Sequence, residues 1–206
     1  WSWAPFGLVT ASTIALFLYY FSAVDFEWMI NQIFEQMATQ QEMSAEELQA
    51  AQAFMTKTSM TWTTTLGGAM GIIVANLVTA VYFNLITKVS SPNELTFSAW
   101  FGFSWWTSMP VVVSWLLAAL VIMFSSAGMV SLEDLSPTSL GFLADRSSPW
   151  FGLLNGISLF SLWSIALGTI GLSSWLGLTP KKAFIIAVSP TLAIYTCWVL
   201  YISFAG

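Results

Sequence analysis

Residues 95–132 read LTFSAWFGFSWWTSMPVVVSWLLAALVIMFSSAGMVSL, thirty-eight consecutive positions without a charged side chain. Four other stretches share that property, 1–24, 58–87, 147–180 and 183–206. About 20 apolar residues, rising 1.5 Å each, cross the hydrocarbon core of a bilayer as a helix. The spacing therefore predicts an all-α, polytopic membrane protein, a five-helix transmembrane bundle forming one membrane domain over residues 1–206. The expected helices cover about 5–24, 62–86, 104–125, 152–176 and 183–204. An extramembrane insertion at 25–61 is read as an amphipathic helical hairpin between the first two.

Composition supports the same setting. Charged residues make up 7% of the 206, against roughly 25% in soluble domains, and apolar residues reach 57%. A net charge of −5 with only five Lys and Arg excludes nucleic acid as a partner, because phosphate binding needs a basic patch. Cys197 is the single cysteine, so no internal disulfide or cysteine-built metal site exists, and it reads as a small packing residue. Histidine is absent, which removes the commonest general base and metal ligand. The chain opens on Trp1 and not on Met, so residues upstream are expected to have been removed. Span 1–24 lacks a basic flank and a small-residue cleavage site, and it reads as a retained helix.

Within the insertion, Trp28, Met29, Ile33, Phe34 and Met37 recur at helical spacing, and Leu48, Ala51, Phe54 and Met55 do so again. Ser44 to Glu47 reads as a capping box opening the second piece. The second span carries Gly67, Gly68 and Gly71 within one turn, a face on which another helix can approach closely, and holds the amides Asn76 and Asn84 at membrane depth. The third apolar stretch is too long for one straight crossing. Residues 95–103 are expected in the interface, with Trp100, Trp105 and Trp106 in an aromatic belt and a bend at Pro110. Gly152-x-x-x-Gly156 opens the fourth helix with Asn155 inside it, and Pro190 bends the fifth.

Basic residues set the orientation. With the N-terminus inside, Lys88, Lys181 and Lys182 are inside while Lys57 and Arg146 are outside; nine acids then lie outside and only Glu94 inside. The expectation is a cytoplasmic N-terminus and an external C-terminus.

Three pieces of the chain resemble a known family. They are Trp1 to Pro5 (WSWAP), Phe101 to Pro110 (FGFSWWTSMP), and Ser158 to Trp163 (SLFSLW) followed by Ile170-Gly171-Leu172 and Lys181-Lys182-Ala183. Together with the five-helix plan they resemble the Yip family, membrane proteins named for interaction with Ypt/Rab GTPases, which has many bacterial members. The resemblance runs through most of the chain. It implies a non-catalytic membrane protein with membrane-protein partners, and the composition suits a bacterial-type member in the inner (plasma) membrane. Family members often carry an acid where this chain has Ser158, so no role for a carboxylate transfers there. The acidic segment 25–61 looks like an elaboration of this branch. Eukaryotic relatives act in vesicle traffic through a cytosolic N-terminal region that this sequence does not show, and the trafficking role is not expected to carry over.

The chemistry is sparse. No Ser/Lys or paired-Asp arrangement falls inside a span, and the adjacent acids Glu46–Glu47 and Glu133–Asp134 read as solvated loop charges. No catalytic, cofactor-binding or metal-ligating residue is assigned and no cofactor is expected. A coupled transporter needs an ionisable group at membrane depth, and none of the five crossings holds one. The residues expected to pack helices or line a polar cavity are Gly67, Gly71, Asn76, Pro110, Gly152, Asn155, Gly156, Ser158, Trp163, Gly171 and Pro190. Two function classes follow. The first is a protein that organises membrane partners or lipids, with the bilayer, a membrane-protein partner or a second copy as its contacts. The second is a transporter or channel for an uncharged solute, which requires a water-accessible cavity lined by Asn76, Asn155 and hydroxyls.

Overall fold

The computed structural model describes residues 3–40, 46–47, 54–91 and 93–205. Its helices are α1 (Trp3–Ala23), α2 (Phe26–Gln40), α3 (Lys57–Ser90), α4 (Phe97–Thr107), α5 (Pro110–Phe124), α6 (Phe151–Gly156), α7 (Leu159–Leu176) and α8 (Pro180–Ala205). Among the described residues there is no β-strand, only an isolated bridge between Ser139 and Ser158. Five helical stretches are long and apolar enough to cross a membrane: Trp3–Ala23, Lys57–Ser90, Phe97–Phe124, Leu159–Leu176 and Pro180–Phe204. The chain is an integral membrane protein built from them.

Alternating passage gives the bundle two chemically distinct ends. One holds the start of α1, the end of α3 and the α7–α8 turn, with Lys88, Lys181 and Lys182; we call it the lysine end. The other holds α2, the start of α3 and the long connection 125–158, with Glu133, Asp134 and Asp145; we call it the acidic end.

At the acidic end, Leu16, Tyr20 and Phe21 of α1 bury against Ala118 and Ile122 of α5 and against Val130 and Leu135 of the connection. Asp25 opens α2 by accepting from the Trp28 N–H (3.1 Å), which satisfies one orphan donor of a helix start. Met29 of α2 is then buried in the same cluster, with Trp28 and Ile33 beside it. The α1–α2 junction is held by Asp25 N–H donating to the Gly128 carbonyl (3.0 Å). Gly128 has φ +72, and a Cβ there would sit 2.6 Å from the Ala23 carbonyl oxygen, so only glycine fits. The first half of segment 25–61 is thus a helix packed on the bundle. The expected capping box at Ser44 lies outside the described residues.

At the lysine end, Ala80 and Phe83 of α3, Trp100 and Phe103 of α4, Leu172 of α7 and Ala183 and Ile186 of α8 form a second cluster. The sequence suggests an aromatic belt for Trp100, Trp105 and Trp106, and two of the three lie inside the protein instead. Trp100 and Trp105 are fully buried, Trp100 among Phe83, Phe103 and Trp175, and Trp105 edge-on to Phe6 of α1. Of the three, Trp106 alone faces outward. As expected, the helix continues through its proline with a bend. Ser108 and Met109 keep right-handed helical angles, so α4 runs into α5 with only a kink. Pro110 cannot donate to the Trp106 carbonyl, and the Met109 N–H takes that place at 3.3 Å.

The second crossing is longer than expected. α3 has 34 residues, about 50 Å at 1.5 Å each, and overruns a hydrocarbon core of about 30 Å. Thr56 and Ser59 cap its start reciprocally, and Lys182 Nζ donates to the Ser90 carbonyl (2.6 Å) at its end, where a cation suits the helix dipole.

The fourth helix, expected from 152 to 176, is two helices. α6 stops at Gly156, Ile157 is extended, and α7 starts at Leu159. Ser158 accepts from the Ser161 N–H (3.2 Å) while Ser161 Oγ accepts from the Ser158 N–H (3.0 Å), a reciprocal cap that restarts the helix. The extended link pairs with the connection, Leu140 N–H donating to the Ile157 carbonyl at 2.8 Å. Pairing and cap together satisfy polar groups that a straight helix would have satisfied internally.

Pro190 sits inside α8 and leaves the Ile186 carbonyl without its usual donor. Tyr82 of α3 supplies one, its hydroxyl donating to that carbonyl at 3.0 Å. A helix defect is thereby converted into a cross-link between α3 and α8. Tyr82→Phe should lower stability by about 1 kcal/mol, read as a drop in thermal midpoint of the purified protein. In a Pro190→Ala background, where the backbone supplies its own donor, the same change should cost markedly less.

Candidate functional site

Between α3, the α4–α5 junction, α7 and α8 lies a cavity of about 450 Å³. From α3 it receives Ile72, Ala75, Asn76 and Thr79; from the junction and α5, Thr107, Ser108, Ser114 and Trp115. α7 contributes Ser161, Ser164 and Gly168, and α8 contributes Ala187, Pro190 and Thr191. Ser136, Asn155, Gly156 and Ser158 close it toward the acidic end. No lining residue is ionisable.

Each polar group arrives there by helical spacing. Ser161, Ser164 and Gly168 lie three or four apart on α7, hence on one face, and Ser108, Val111 and Ser114 do the same across the α4–α5 kink. Asn76 is nearly fully buried; its amide nitrogen donates to the Ile72 carbonyl (2.9 Å), and its carbonyl oxygen accepts from Ser108 Oγ (2.7 Å). The Ser108–Asn76 bond ties the kink of one crossing to the middle of another. Asn155 accepts from Ser139 Oγ at 2.6 Å, which fixes its amide against the connection.

Toward the lysine end the cavity is closed. Phe83 lines its floor and packs on Phe103 (ring centroids 5.4 Å) and Trp100 (6.0 Å) in the buried cluster. Toward the acidic end it meets a second cavity of about 660 Å³, with which it shares Ser136 and Asn155. That outer cavity is lined by Glu133, Asp134 and Arg146. Arg146 pairs with Asp134 at 2.6 Å and also donates to Ser131 Oγ (2.8 Å), so its charge is partnered.

Of the residues singled out from sequence, Asn76, Asn155, Gly156, Ser158 and Pro190 come together on this cavity. Pro110 is buried at the start of α5 beside it. Gly152 and Gly156 face α8: a Cβ at Gly152 would lie 3.2 Å from the Trp198 ring, and one at Gly156 would lie 2.7 Å from the Tyr195 hydroxyl. Gly171 underlies the Phe103 ring, where a Cβ would overlap it. Three residues are elsewhere. Gly67 and Gly71 face outward, and a Cβ on either would meet nothing within 4 Å; their neighbour Gly68 makes the close approach, to Phe17 of α1. Trp163 points outward beside Phe160. Ser108, Ser114, Ser164 and Thr191 line the cavity without having stood out in the sequence. The serine and glycine spacing on α7 was the available signal, because a small polar stripe on an apolar helix has to face protein or water.

Five membrane-crossing helices, four of which enclose an uncharged cavity whose mainly apolar wall is set with hydroxyls and amides, define the class: a polytopic α-helical membrane protein. The chain belongs to the Yip1 domain family, whose family profile matches residues 1–201. No curated protein and no solved structure matches the chain significantly.

Gly171→Ala should destabilise the protein by about 1–3 kcal/mol, because Phe103 is locked in the aromatic cluster and cannot retreat. Gly67→Ala and Gly71→Ala should be neutral within about 0.5 kcal/mol in the same thermal assay, since neither meets a neighbour.

Proposed function

We propose that this Yip-type membrane protein is non-catalytic and organises lipids or membrane partners. The observation that carries it is the central cavity: its mainly apolar wall is set with amides and hydroxyls, it holds no acid or base, and Phe83 and the aromatic cluster lie across its lysine end. Such a compartment binds without supplying a proton donor, a metal ligand set or a coupling ion site. The acidic end carries α2, which opens with Glu27 in its first turn and packs on the bundle through Met29, leaving its other face for a membrane-protein partner or a second copy.

One observation favours the second reading, an uncharged-solute transporter. The cavity is lined by both Asn76 and Asn155 and reaches toward the acidic end. The aromatic floor weighs the other way, because conduction requires an exit. Liposomes containing the purified protein should show no flux of a small neutral solute above protein-free vesicles. Flux that disappears in Asn155→Leu would replace the organising role by transport. For the organising role, cross-linking in native membranes from segment 25–61 should repeatedly yield a membrane protein, either a discrete partner or a second copy.

The inner membrane of a bacterium, with the N-terminus and the lysine end in the cytoplasm and the C-terminus outside, is part of the proposal. The orientation rests on three basic residues, Lys88, Lys181 and Lys182, at one end against two, Lys57 and Arg146, at the other, and the bacterial membrane rests on the family resemblance. In a Cys197→Ser background, a cysteine at Ser147 should react with an impermeant maleimide in intact cells. One at Thr179 should react only after permeabilisation; the reverse pattern would invert the topology.

A further inference from the structure

We propose that the central cavity is a binding site for an uncharged, hydroxyl-rich group, of the kind presented by the glycerol headgroup of a neutral lipid or by a free sugar. The inference deepens the binding role assigned to this cavity and does not depend on any protein partner.

The starting point is a set of polar atoms that the fold leaves without partners. Hydroxyls in these helices ordinarily bond back to their own backbone, as Thr13, Thr79, Thr87 and Thr169 do to the carbonyl four residues before. Ser114, Ser164 and Thr191 line the cavity and make no hydrogen bond among the described residues, nor does the amide nitrogen of Asn155. Ser114 is 8% exposed, so the space it faces is the cavity and not the bilayer. These groups come from three different crossings and from the connection, and they converge on one compartment. In hydrocarbon, an unpaired hydroxyl or amide is costly, so a cavity that gathers several is built to be filled by something polar.

The lining also selects what fills it. Hydroxyls donate and accept, and amides do both, so a group bearing several hydroxyls can be matched whichever way each bond runs. A phosphate or ammonium would bring an uncompensated charge to membrane depth, where no lining residue can neutralise it. The volume of about 450 Å³ suits a small ligand or a lipid headgroup. Ile72, Trp115, Phe160 and Ile165 supply apolar wall between the polar points, which accommodates an amphiphile.

Two entrances fix the two sources. α8 packs mainly on α7, and its contact with α3 is slight, with their described hydrogen bonds, Tyr82 to Ile186 and Lys182 to Ser90, both toward the lysine end. The cavity lies beyond that point between exposed Ala75 on α3 and Thr191 on α8, a sideways opening to lipid. The other route runs from water through the outer cavity past Ser136 and Asn155.

The test uses the full chain in phosphatidylcholine nanodiscs with a photoreactive diacylglycerol, followed by mapping of labelled peptides. Label should concentrate on peptides carrying Ser114, Ser164 and Thr191. Excess dioctanoylglycerol should displace it, and dioctanoyl phosphatidic acid, which differs by a charged phosphate, should not. Displacement by glucose as well would place the natural source in water; resistance to glucose would place it in the bilayer. Ser114→Ala combined with Thr191→Val should reduce specific labelling about tenfold, as loss of two hydrogen bonds implies. Ser164→Thr, which keeps a hydroxyl, should retain it. Thermal midpoints of all variants separate a lost site from a lost fold. Label spread evenly over the lipid-facing helices, or equal competition by phosphatidic acid, overturns the proposal. Neither result would bear on cross-linking from segment 25–61.

Discussion

Inside hydrocarbon no water stands ready to pair with a backbone carbonyl or a hydroxyl, and that constraint organises this molecule. Apolar side chains gain little by leaving lipid for protein, so helices associate through close packing and through polar bonds that lipid cannot offer. The bundle uses both. Tyr82 answers the carbonyl that Pro190 strands, Trp115 Nε1 donates to Thr13 Oγ1 (3.0 Å) to join α5 to α1, and Tyr20 donates to the Val130 carbonyl (2.8 Å) to hold the connection down. Each bond fixes the rotation of one helix against another. Aromatic packing at the lysine end completes the arrangement by filling the narrowing interior with Phe83, Trp100 and Phe103.

The crossings were legible because charge marks their limits directly; a Lys or Glu inside hydrocarbon is costly enough to be read position by position. Rotation about each axis was not legible. On a helix that is apolar all round, hydrophobicity does not distinguish the lipid face from the protein face. Gly67, Gly68 and Gly71 look alike in sequence, yet only Gly68 meets a neighbour, because Phe17 happens to lie over it. The tryptophans show the same degeneracy. An indole suits both a headgroup belt and a dry core, and Trp100 and Trp105 are buried against neighbouring rings while Trp106, one position on, faces outward. The break before α7 was hidden for another reason, since Ser158 and Ser161 cap each other without the acidic or amide residue that usually signals a capping box.

The candidate site was half legible. Asn76 and Asn155 stood out because an amide in an apolar span demands a partner, and both reach the cavity. The serines around them did not stand out, since most hydroxyls in such helices disappear into backbone bonds. Which ones escape that fate depends on whether a neighbouring helix leaves room, a property of the assembly. Membership of the Yip1 domain family and the five crossings describe the scaffold. The polar interior belongs to these particular side chains.

The ties between α3 and α8 have a mechanical consequence. Both of their described polar links, Lys182 to Ser90 and Tyr82 to Ile186, lie on the lysine-end side of the cavity, and the aromatic floor sits at the same level. Fastened to each other only there, the two helices take different partners further along: past the cavity α8 is held by α6, with Gly152 against the Trp198 ring and Gly156 against the Tyr195 hydroxyl. The wall of the cavity between Ala75 and Thr191 is therefore a seam between two separately braced helices, sewn along its lower edge alone.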